Sequence, residues 1–101
     1  MALQDALKEP QVRSVSAEKY SGAVGSTLLI RAFDNGGVTK VRVRIFNEME
    51  VLVEEGYAVY APDVPGWVYT ATQENLDRSG SVIVATAYDL PGNEGGLQIT
   101  L

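Results

Sequence analysis

The sequence predicts an all-β sandwich of about seven short antiparallel strands. Three observations carry that expectation. Apolar and polar residues alternate with a period of two through most of the chain after Pro10. The alternating runs are separated at regular intervals by turns rich in Gly, Asn and Pro, residues that accept or impose the dihedrals a turn needs. The only helical spacing lies at the very start, where Leu3, Ala6 and Leu7 precede Pro10.

That first stretch, residues 1–9, is too short for a stable isolated helix and reads as a flexible leader or linker remnant. The domain is expected over residues 10–101. "QVRSVSA" from Gln11 is a first, weak strand, and "STLLIRAFD" sets Leu28, Ile30 and Ala32 against Leu29, Arg31 and Phe33. "DNGG" at 34–37 is a turn, because Asn and Gly tolerate positive φ. "VTKVRVRIF" is the cleanest strand. Val41, Val43 and Ile45 point one way and Lys40, Arg42 and Arg44 the other, the pattern of a sheet dry on one face.

"NEME" turns the chain into "VLV", and antiparallel pairing is expected to bring Glu54 or its neighbours beside Arg42 and Arg44. "EEGYAVYAPDVPG" carries Pro62 and Pro65 and reads as a loop or irregular edge. "WVYTAT" is a strand led by Trp67, "QENLDRSG" a turn region, and "SVIVATAYD" a strand with Ile83, Ala85 and Ala87 on one face. After "LPGNEGG", the run "LQITL" alternates Leu97, Ile99 and Leu101. The expected core is Val12, Val15, Leu28, Ile30, Ala32, Val41, Val43, Ile45, Val53, Trp67, Tyr69, Ile83, Ala85, Ala87, Leu97 and Ile99.

Composition narrows the function classes. The chain has 101 residues, 46% of them hydrophobic, which is one domain with one core. A net charge of −5 argues against nucleic-acid binding and against anionic membrane surfaces. No apolar run reaches membrane-spanning length, so membrane insertion is not expected. There is no His and no Cys, which removes the commonest general base, the commonest transition-metal ligand and every thiolate. An enzyme is therefore not expected. The first ten residues carry Asp5 and Glu9 and lack the features of a signal peptide.

"IRAFDNGGVTKVRVRI" and "VIVATAYDLPGNEG" together resemble the bacterial immunoglobulin-like (Big-type) modules that occur in tandem on cell-surface and secreted proteins. Those modules carry apolar-x-Ala-x-Asp, then Gly-Val and alternating Val, and near their end Ala-x-Asp before Gly-Asn. The likeness covers residues 26–45 and 82–101, roughly half the chain. It extends to fibronectin type III domains, although the early strand lacks their Trp and Ser81 and Val82 stand where their Tyr would be. Antibody-type domains differ by their cysteine pair. The resemblance implies an immunoglobulin-like Greek-key β-sandwich, located outside the cell or on its surface. It also implies a non-catalytic role as spacer, structural or adhesion domain, with neighbouring domains of a longer chain, a protein or a glycan as partners.

Two candidate sites follow. Asp34, Asn35, Asp89, Asn93 and Glu94 are hard oxygen donors on two turns that the immunoglobulin-like arrangement brings to one end, and such donors suit Ca²⁺. Cadherin-like relatives of the sandwich bind calcium at such ends. The competing reading is a structural corner, in which Asp89 accepts hydrogen bonds from backbone N–H groups two residues on. The second candidate is aromatic: Tyr57, Tyr60 and Trp67 are placed to stack on sugar rings, as in a carbohydrate-binding accessory domain of a polysaccharide-degrading system. The competing reading puts Trp67 in the core as packing volume. Lys40, Arg42 and Arg44 read as a solvated strand face balanced by nearby Glu.

Overall fold

The computed structural model describes residues 10–33, 37–90 and 92–101. Among these residues the alternation becomes eight strands: β1 (Gln11–Ser16), β2 (Thr27–Phe33), β3 (Lys40–Phe46), β4 (Leu52–Tyr57), β5 (Val59–Ala61), β6 (Gly66–Thr70), β7 (Val82–Tyr88) and β8 (Glu94–Thr100). Among the described residues there is no helix. The expected leader over 1–9 lies outside them. One strand more than expected is present, because the three residues of β5 pair with β6 inside the proline-bearing stretch.

Every pairing is antiparallel, and the strands divide into two four-stranded sheets, ordered β1-β2-β6-β5 and β4-β3-β7-β8. This is an immunoglobulin-like Greek-key sandwich. The chain changes sheets between β4 and β5 at the buried Ala58, whose N–H donates to the Val41 carbonyl at 2.8 Å.

Burial follows the parity of the strands. In β3, Val41, Val43 and Ile45 have no exposed surface, and they pair with Ala87, Ala85 and Ile83 of β7, which have none either. Small alanines beside larger branched residues keep the layer filled without overpacking. Leu28 and Ile30 of β2 face them from the other sheet. Each such side chain contributes about 1.5–3 kcal/mol on burial. All sixteen expected core residues are buried in this cluster or packed against it. It also includes Tyr20, Ala58 and Ala71, which lie between strands where periodicity gives no signal.

The register defines two poles. Gln11 begins β1 opposite Phe33, the last residue of β2. Lys40 begins β3 opposite Tyr88, the last residue of β7, and Glu94 begins β8 there as well. These strand ends form the upper pole. At the lower pole Thr100 ends β8 opposite Val82. The chain therefore enters the sandwich at one pole and leaves it at the other. The principal extents are 48 × 30 × 19 Å.

The lower pole is stitched across loops. Asn75 Nδ2 donates to the Tyr20 hydroxyl at 3.2 Å and to Ser81 Oγ at 2.9 Å, with all three residues buried. Backbone bonds tie Asn75 N to Gly22 O and Gly25 N to Ala71 O.

Candidate functional site

Asp89 closes β7 and is itself buried. Its Oδ1 accepts from the Asn93 backbone N–H at 2.8 Å, and its Oδ2 accepts from Asn93 Nδ2 at 3.1 Å. The Asp89 N–H donates to the Asn93 carbonyl, and the Gly92 N–H donates to the Asp89 carbonyl. Gly92 sits at φ 97°, a conformation that a Cβ would strain. Both carboxylate oxygens thus hold the β7–β8 corner together, through Asn93 four residues on and not through a backbone N–H two residues on. Asn93 and Glu94 are exposed. Asp34 and Asn35 lie outside the described residues. Among the described residues no three acidic side chains gather around a common point.

The aromatic candidates separate. Tyr57 ends β4 opposite Arg42, on the outer face of the second sheet, with Lys40 Nζ 5.4 Å from its ring centre. Tyr60 and Trp67 are cross-strand partners on β5 and β6. Their rings meet edge to face at 5.4 Å and 62°. Trp67 has inward parity, opposite Ile30, and packs on the core. It stays half-buried because β5, the sheet edge beside it, is only three residues long and Tyr60 is 51% exposed.

These two rings line a hollow of about 390 Å³ with Ala32, Phe33 and Val38. A second hollow of about 490 Å³ shares Ala32, Phe33, Tyr60 and Trp67 with the first and continues over Arg13, Arg31, Pro65 and Gly66. Together they make a continuous aromatic depression near the upper pole, with two guanidinium groups along it.

Each arginine reaches this surface for a local reason. Arg31 has outward parity on β2. Its stem crosses Gly66, where an added Cβ would approach Arg31 Cγ and Leu29 Cδ1, and its Nη1 donates to the Pro65 carbonyl at 3.3 Å. Arg13 occupies a β-bulge. Val12 pairs with Ala32 and Ser14 with Arg31, so Arg13 is the extra residue. A bulge re-aims the side chain it carries, and the Arg13 guanidinium carbon sits 5.1 Å from the centre of the Phe33 ring. The outward parity of Arg31 and Phe33 was legible in the alternation of β2. The bulge was not, because it is a mismatch between two strands and not a property of either.

The basic stripe is a half-solvated face. Arg42 is paired with Glu55, and Arg44 lies over the Phe46 ring at 5.9 Å. Glu54 does not join it. The β3–β4 register puts Glu55 opposite Arg44 and Glu54 opposite the buried Ile45, so the ion pair belongs to Glu55 and Glu54 turns inward. There its Oε1 accepts from the Tyr69 hydroxyl at 2.7 Å, the Thr72 N–H at 2.9 Å and Thr72 Oγ1 at 3.0 Å, and its Oε2 accepts from the Gln73 N–H at 3.2 Å. Burial pushes this carboxyl's pKa up, but the four hydrogen bonds outweigh burial and hold it below the ordinary value. Burial first, and the bond to Glu54 second, push the Tyr69 hydroxyl well above its ordinary value. The unit bolts β4 of one sheet to the end of β6 in the other.

Compared with known proteins, the chain matches no protein-family model and no curated protein at a significant level.

Proposed function

We propose that the chain is a non-catalytic immunoglobulin-like module of a larger bacterial extracellular or cell-surface protein, acting as a spacer and interaction domain. One observation carries the reading: β1 starts at the upper pole of the sandwich and β8 ends at the lower pole. A module threaded from pole to pole adds its length to whatever it joins. The bacterial, extracellular part rests on the resemblance at residues 26–45 and 82–101.

The test is to fuse a fluorescent donor and acceptor to the two ends and measure energy transfer and small-angle scattering. A spacer holds the pair apart by about the distance from one pole to the other. High transfer, as from ends lying side by side, would overturn the reading.

A second reading, a carbohydrate-binding accessory domain, is favoured by the Tyr60–Trp67 pair beside the hollow with Phe33. Aromatic faces next to a depression suit the C–H faces of sugar rings, and a few fixed polar groups orient them.

A further inference from the structure

We propose that the depression at Phe33, Tyr60 and Trp67 is a subsite for an acidic saccharide, with Arg31 and Arg13 receiving the carboxylate of a uronic-acid unit. The proposal rests on the carbohydrate-binding reading and adds the charge of the ligand.

The argument starts from what holds each arginine. Arg42, on the other sheet, is paired with a carboxylate and its charge is offset. Arg31 is held by a neutral carbonyl and Arg13 by a neutral ring, and among the described residues neither is paired with a carboxylate. Among the described residues lining the two hollows there is no carboxylate. In a chain of net charge −5 an acidic polymer is repelled in general, so a place where two cations gather with no carboxylate among the described lining selects the binding position.

Geometry supplies the rest. A guanidinium is a planar fork of five N–H donors that matches a carboxylate bidentately, and the bond to Pro65 uses only one of Arg31's. The contacts that hold the two arginines also pre-organise them, which lowers the ordering cost of binding. The bulge at Arg13 brings the second cation to the surface of the first. The exposed faces of Phe33 and Tyr60 then take the apolar side of the sugar, and the fork takes its acid group. An acidic peptide would satisfy the arginines, but the adjoining aromatic depression favours a ligand with flat C–H faces.

Trp67 is the single tryptophan and lines both hollows, so its emission reports occupancy directly. The experiment titrates the full chain with polygalacturonate, alginate, carboxyl-reduced polygalacturonate and polyglutamate, reading Trp67 emission and affinity electrophoresis. At least one uronate polymer is expected to perturb the emission and to bind about tenfold or more tighter than the neutral polymer, the step expected from losing a charge-assisted pair. Arg31→Ala and Arg13→Ala should each weaken that binding about tenfold, while Arg42→Ala leaves it unchanged. Equal binding of the neutral and acidic sugars, insensitive to Arg31→Ala, overturns the acidic assignment and leaves the carbohydrate reading standing. Polyglutamate binding as tightly as the uronates overturns the saccharide assignment, and equal sensitivity to Arg42→Ala overturns its placement at Arg31 and Arg13. If no polysaccharide binds, both fall.

Discussion

Glu54 is the residue whose environment departs furthest from its sequence context. A buried carboxylate is costly unless its lone pairs are met by donors, and here four donors meet them. Its folded pKa lies below the ordinary 4.5, so the stability it contributes is present above that value and is lost as pH falls through the folded pKa. Tyr69 works in the opposite sense. Its raised pKa means that stability present below pH 10.0 is lost as pH rises toward the folded value. Replacing Glu54 with Gln turns one acceptor into a donor facing the Gln73 N–H. Urea unfolding at pH 7 should show a loss of about 1–3 kcal/mol. The decline of the wild type as pH falls below 4.5 should be shallower in this variant. An unchanged acid limb would mean that Glu54 is not the titrating group.

At the scale of the element, the β7–β8 corner behaves as a unit in which side chain and backbone hold each other. Asp89→Ala removes both acceptors of Asn93 and leaves its backbone N–H unmet, at a cost of about 1–2 kcal/mol. For a domain of this size that is roughly 4–8 °C of Tm for each kcal/mol. Thermal melts should show this loss equally with and without millimolar calcium. A calcium-dependent rise in Tm that vanishes in Asp89→Ala would replace the corner with a metal site. The expectation of a tight turn at this place was legible in "DLPGNEGG", since Asp, Gly and Asn each have a local reason to be there. β8 nevertheless begins earlier than its alternation suggested, taking in Gly95 and Gly96. Their absence of side chains hides them from any periodicity argument.

For the whole molecule, those glycines set how the two sheets meet. A Cβ on Gly95 would lie 2.0 Å from the Pro10 carbonyl oxygen, which is main chain and cannot swing aside. β8 of one sheet packs against β1 of the other here, so Gly95 lets the sandwich close along that side. Gly95→Ala should separate the two edges and cost about 1–3 kcal/mol, read as a lower midpoint in chemical denaturation. Full stability in that variant would show that the edges do not need their close approach.

By itself the sequence determined the strands other than β5, their dry faces and the turns between them. Those follow from the two-residue repeat of an extended backbone, a local property visible in Val41, Val43 and Ile45 without knowledge of any partner. Only the tertiary structure decided that Arg13 bulges toward Phe33, that Glu54 turns inward to Tyr69 and Thr72, and that Trp67 keeps one side open beside Tyr60. Each of these depends on register between segments far apart in the chain and on which edge a short strand leaves uncovered. Packing sets those quantities; no stretch of sequence contains them.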